Sequence, residues 1–136
     1  MKTSLSHLQI NVQKANLQFY RDLFAFLGWT SLLDQDEFFG SAGSNGASLW
    51  FMSGANDAQN DYDGRGVNHI AIGAESQAEV DAATAYLASR GVPALFETPR
   101  HRPEFAWQEG HTYYQVMFES PDGVLFEVVY TGPKQD

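Results

Sequence analysis

The feature that most constrains this chain is an internal repeat, because its second half follows the first in outline and a histidine opens each copy. Ser6-His7-Leu8-Gln9-Ile10 is answered by Asn68-His69-Ile70-Ala71-Ile72, and Asn45-Gly46-Ala47-Ser48-Leu49-Trp50 by Asp122-Gly123-Val124-Leu125-Phe126-Glu127. A repeat of this kind restricts the fold more than any local propensity does, since both copies must adopt one supersecondary unit.

The first copy opens with Leu8, Ile10 and Val12 alternating against His7, Gln9 and Asn11, the period of a half-buried strand. Leu17, Tyr20, Leu23, Phe24 and Leu27 then recur at helical spacing from a cap at Asn16 to a stop at Gly28. Three short strands follow, at Trp29 to Asp34, Glu37 to Ala42 and Ala47 to Met52. The second copy repeats this order. Its strand covers Val67 to Gly73, and its helix starts from the capping box Ser76-Gln77-Ala78-Glu79 and buries Val80, Ala83, Thr84 and Leu87. Gly91 and Pro93 end that helix, and strands are expected near Ala94 to Glu97, Tyr113 to Glu119 and Val124 to Tyr130. Thr98 to Thr112 reads as a loop. The whole is one α+β domain over residues 1–136: a βαβββ unit over about 5–54, a Gly/Asn/Asp-rich linker over about 55–66 with no obvious chemistry, and a βαβββ unit over about 67–132.

Strand parity sorts the candidate site residues. Successive strand side chains face opposite ways, so His69 and Ala71 lie on the face away from Ile70 and Ile72, and His7 behaves likewise. Each helix must bury its stripe against the aliphatic face, which leaves the histidine face open. Glu127 shares its face with Leu125 and Val129, and a carboxylate between two aliphatic neighbours needs a partner. Of the adjacent Tyr113 and Tyr114, only one can face inward.

Composition narrows the partners. The formal net charge is −9, and five arginines and three lysines are scattered along the chain, which argues against a nucleic-acid surface. There are no cysteines, so any metal must be held by imidazole or oxygen. The amino-terminal residues lack the apolar core of a signal peptide and no run has membrane-spanning length, so a cytoplasmic protein with no membrane partner is expected.

The paired units, each led by His, with Phe19-Tyr20-Arg21-Asp22-Leu23, Leu27-Gly28, and Ser120-Pro121-Asp122-Gly123 leading to Glu127, resemble the vicinal oxygen chelate superfamily of glyoxalases, extradiol dioxygenases and bleomycin-resistance proteins. The resemblance implies a glyoxalase-like fold in which each unit is an incomplete barrel. It also implies one divalent metal ion (Ni, Zn, Mn or Fe) on His7, His69 and Glu127, a small oxygenated substrate, and a homodimer. Where some relatives carry a further metal ligand, this chain has Trp50, which cannot ligate. The implied activity is that of a lyase, isomerase, transferase or dioxygenase. The alternative is a metal-free small-molecule binder of the bleomycin-resistance kind.

With Glu127 taken as a ligand, a general base must come from Glu119, His111, Tyr113 or metal-bound hydroxide. Trp50, Gln9, Tyr113, Gln115 and Arg100 are the expected substrate-pocket residues. Arg100-His101-Arg102 fits either a solvated loop or a site that steers an anion. His101 and His111 read as structural.

Overall fold

In a computed structural model describing residues 1–136, the chain forms two compact units, 1–59 and 60–136. Each has the order strand, helix, three strands, and each has an open four-stranded sheet.

In the first unit, β1 (His7–Asn11) leads through a short 3-10 turn to α1 (Leu17–Phe26), followed by β2 (Thr30–Asp34), β3 (Phe38–Ala42) and β4 (Ser48–Met52). The sheet order is β1-β4-β3-β2, with β1 parallel to β4 and the remaining pairs antiparallel. The helix forms because Leu17, Tyr20, Leu23 and Phe24 make one apolar stripe, and all four are buried. Tyr20 stacks on Phe51 with ring centroids 4.3 Å apart, and Phe39 continues the aromatic layer. Asn16 holds the N-cap position without a side-chain capping bond, because the 3-10 turn over Lys14–Asn16 already leads into the helix.

The second unit contains β5 (Ile70–Ala74), α2 (Gln77–Ser89), β6 (Leu95–His101), β7 (His111–Glu119) and β8 (Leu125–Pro133), in the sheet order β5-β8-β7-β6. Here β5 runs parallel to β8. The Ser76 hydroxyl accepts from the Glu79 N–H at 3.2 Å, and the Glu79 carboxylate accepts from the Glu75 N–H, one residue earlier than a reciprocal box would require. Val80, Ala83 and Leu87 are buried on the helix, and Phe118 and Phe126 stack within the sheet.

Several strand limits differ from the sequence reading, and β8 continues to Pro133 beyond the expected end at Tyr130. The leading strand starts at Ile70, leaving His69 just ahead of the ladder. More consequentially, the segment expected to loop from Thr98 to Thr112 begins as strand. β6 runs through Pro99 to His101, and β7 starts at His111. Pro99 is tolerated because β6 is an edge strand, where a missing N–H need not break a ladder. A bulge separates the pairs Leu95↔Met117 and Arg100↔Gln115. Inside it the Thr98 hydroxyl donates to the Leu95 carbonyl at 2.6 Å and accepts from the Met117 N–H at 2.9 Å, standing in for lost ladder bonds.

The repeat-related closing positions occupy the same register. Trp50 pairs with Gln9 and Gly40, whereas Glu127 pairs with Ala71 and Met117. Trp50 folds over Gly40, where an added Cβ would stand 2.4 Å from the indole, and its Nε1–H donates to Ser48 Oγ at 3.0 Å. Gly40→Ala should therefore destabilise the protein by roughly 1–3 kcal/mol in chemical denaturation. Adding Trp50→Leu should restore much of that loss, and a neutral Gly40→Ala would show that the indole moves aside freely.

Candidate functional site

The site of the second unit starts from one buried acid. Glu127 is 1% exposed in the middle of the sheet, and its Oε2 lies 3.0 Å from His69 Nε2. Its Oε1 is buried and has no partner.

The state of His69 follows from its neighbour. Asn68 Nδ2 donates to the Tyr62 carbonyl at 2.9 Å, which orients the amide, and its Oδ1 then faces His69 Nδ1 at 2.7 Å. An amide oxygen can only accept, so Nδ1 carries the proton and the lone pair of a neutral ring lies on Nε2, against Glu127 Oε2. Two acceptors facing each other at 3.0 Å require a cation between them, either a proton or a metal ion. Neighbouring ligands on an ion with bonds of ~2.1 Å are separated by about 3 Å, so this donor pair fits a divalent cation. The partnerless Oε1 adds a further oxygen that such an ion satisfies. No group of three His, Asp or Glu side chains is arranged to hold an ion by itself.

Around the pair lies a cavity of about 370 Å³, a size suited to a small molecule. His69, Arg100, Tyr113, Gln115 and Glu127, all expected site residues of this unit, line it. So do Arg102, from the Arg100-His101-Arg102 stretch, and Tyr62, Asp63, Asn68, Phe96 and Phe105, which the sequence reading did not single out as site residues. For Asn68 a signal was present: Ser6, its repeat equivalent, also contacts Nδ1 of the following histidine, at 3.2 Å. Tyr62 and Asp63 come from the connector, which was expected to carry no chemistry. Phe96 enters through the bulge, where it and Glu97 hold left-handed backbone angles of 57° and 60° that L residues seldom adopt. Sequence periodicity carries no trace of that.

Three further expected residues belong to the first unit. His7 opens β1 of the first unit and is exposed. Gln9 is exposed beside it and donates to Asn11 at 3.1 Å. Trp50 is the half-buried residue over Gly40. His101 Nδ1 meets Thr112 Oγ1 at 2.7 Å and its ring lies against Tyr114, a structural role.

Parity separates the two tyrosines as expected. Tyr113 lines the cavity, while the Tyr114 hydroxyl donates to Asp81 on α2 at 2.7 Å. Burial, followed by the adjoining Glu127 carboxylate, holds the Tyr113 phenol well above its ordinary range. It therefore stays protonated at neutral pH and is a hydrogen-bond donor rather than a base.

The family description "Glyoxalase/Bleomycin resistance protein/Dioxygenase superfamily" matches residues 4–128. The chain belongs to this superfamily. Its structure resembles that of a candidate glyoxalase from Bacillus halodurans, with a TM-score of 0.74 and 27% identity over 93% of this chain and 94% of that one. It also resembles the fosfomycin resistance protein FosX from Listeria monocytogenes, solved with Mn(II) and a sulfate ion. That TM-score is 0.68, with 23% identity over 97% and 93% of the two chains, a likeness of fold. The uncharacterized Bacillus subtilis protein YqjT is 41% identical over 64 residues, or 47% of this chain. The matched stretch spans 46% of that relative's length. No helix is long and apolar enough to cross a membrane.

One outcome follows from this geometry. Burial, then the bond to Asp81, pushes the Tyr114 phenol up to about 12 from its ordinary 10.0. The folded state thus holds this proton more tightly than the unfolded chain does. Its stabilising contribution is complete below pH ~10 and lost as pH rises through about 12. Alkaline titration of tyrosinate absorbance should lose one late-ionising group in Tyr114→Phe.

Proposed function

We propose that this protein is a divalent-metal-dependent enzyme of its superfamily that chelates a small oxygenated substrate. Its metal ligands in this reading are His69, Glu127 and His7, the last coming from the same chain or from a second copy. The observation that carries the reading is the Asn68–His69–Glu127 chain. Asn68 directs a lone pair at a buried carboxylate whose second oxygen has no partner, an arrangement that costs stability unless a cation occupies it.

When bound, the ion stabilises enolate or alkoxide character on a substrate oxygen, which suits isomerisation, nucleophilic addition or ring cleavage. Around it the chain supplies orientation and hydrogen bonding. Asn68 keeps the imidazole in one tautomer. Tyr113, held protonated beside Glu127, offers a hydroxyl donor in the cavity. His111 and Glu119, the other side chains considered as bases, do not line the cavity, and Glu119 instead lies 3.5 Å from the Tyr62 hydroxyl.

A homodimer belongs to the same reading. The edge strand β2 leaves Leu32 at 50% and Leu33 at 41% exposure, apolar surface of the kind that pairing covers.

Elemental analysis after chelator-free purification should find close to one equivalent of Ni, Zn, Mn or Fe per chain. Chelated protein should take up one of these ions when it is added. Asn68→Ala should weaken uptake by about 10–100-fold, the usual effect of losing an orienting partner. Glu127→Gln and His7→Ala should weaken it further. If no ion binds, the metal-free binding reading replaces this one, supported by the aromatic walls Phe96, Phe105 and Tyr113.

A further inference from the structure

Only two buried side-chain polar atoms in the chain lack a partner, and both belong to residues lining one cavity: Glu127 Oε1 and Arg100 Nε. They call for opposite things. The carboxylate oxygen needs a cation, while the guanidinium N–H needs an acceptor. The metal reading uses the first and leaves the second unexplained.

Arg100 reaches the cavity because of the β6 bulge. Pairing resumes there at Arg100↔Gln115, which puts Arg100 on the face shared by Gln115, Met117 and Glu127. Its ionic contact, Nη1 to Glu97 Oε2, is 3.6 Å long, beyond a hydrogen bond, and the Glu97 side chain is 89% exposed. The second cavity cation is already engaged. Arg102 Nε donates to Glu104, and its guanidinium lies 4.6 Å from the centre of the Phe105 ring. Of the two cavity arginines, Arg100 is thus the fork whose Nε donor is unspent.

The rest of the lining narrows what that fork binds. Phe96, Phe105, Met117 and Leu125 present apolar surface, and Asp63 and Glu127 add negative charge. A dianionic phosphate or phosphonate needs several converging cations to offset such charge, whereas a carboxylate matches one planar fork. We propose that Arg100 binds the carboxylate of an amphipathic monoanionic substrate, a 2-oxo or 2-hydroxy acid whose apolar body rests on Phe96 and Phe105. The part played by the 2-oxygen rests on the metal reading above. The carboxylate contact does not.

The test is calorimetric titration with phenylpyruvate, its methyl ester and inorganic phosphate, on chelated and on metal-loaded protein. In chelated protein phenylpyruvate should bind at least ten-fold more tightly than the ester, and phosphate more weakly than phenylpyruvate. Arg100→Gln should lower phenylpyruvate affinity at least ten-fold, leave the ester unchanged, and take up metal like the parent protein. Arg100→Lys, which keeps the charge and loses the fork, should fall between. Added metal should tighten phenylpyruvate binding through its 2-oxygen.

The proposal is overturned if phenylpyruvate fails to bind, if acid and ester bind equally, if phosphate binds more tightly, or if Arg100→Gln leaves acid affinity unchanged. It is also overturned if metal binds without tightening phenylpyruvate, since the 2-oxygen is then not engaged. Arg100-dependent binding in a protein that takes up no metal would reject the metal reading and keep the carboxylate contact. Metal uptake with acid binding indifferent to Arg100 would do the reverse.

Discussion

The arrangement on which the rest of this protein depends is the parallel pairing of the first and last strands of each unit. The crossover that returns the chain from β1 to β4, or from β5 to β8, sets the leading histidine beside the closing strand, two residues out of register with its key position. Gln9 stands opposite Trp50, and Ala71 stands opposite Glu127. One ladder geometry, used twice, produces one place per unit where a side chain on the closing strand can meet the imidazole at the head of the first. The helix cannot occupy that face, because its apolar stripe is committed to the opposite one, where Tyr20 stacks on Phe51 and Val80 and Leu87 are buried.

The two units use this place differently, and the difference is energetic as well as chemical. In the first, an indole lies flat on a glycine and satisfies its N–H locally, a stable packed arrangement. In the second, a carboxylate is drawn out of water with one oxygen unpartnered and the other 3.0 Å from the imidazole. Burying a charge in this way lowers stability unless it is compensated. Asn68 adds to this arrangement, since it holds the Nδ1 proton and so aims Nε2 at the acid. Unrelieved polar atoms at one cavity, Arg100 Nε among them, mark a surface shaped for something other than its own folding.

Much of this was legible along the chain. The repeat, the two helical stripes, the cap at Ser76 and the alternation on each leading strand follow from local patterns whose periods are those of the elements themselves. The assignment of Tyr113 to the cavity and Tyr114 to the helix side needed only the two-residue period of a strand. Legibility failed where structure departs from periodicity. Thr98 to Thr112 shows no clean strand alternation, yet its first residues continue β6, whose edge position tolerates Pro99. Tyr62 and Asp63 were missed because a polar connector carries no period, and its path against the sheet is set by contacts such as Asn60 Nδ2 to the Gly123 carbonyl at 2.9 Å.

By itself the sequence determined the unit, its duplication, the faces of its strands and the identity of the groups at the head and close of each copy, because each of these depends on spacing along one chain. Tertiary structure decided what those groups became. It brought His69 to 3.0 Å from Glu127, left Oε1 unpartnered, turned Phe96 into the cavity and returned Arg100 to the face of the acid. These outcomes depend on distances between segments far apart in the chain and on a bulge that resets register. A period of two or of 3.6 residues describes which face a side chain takes, but not which distant side chain it meets.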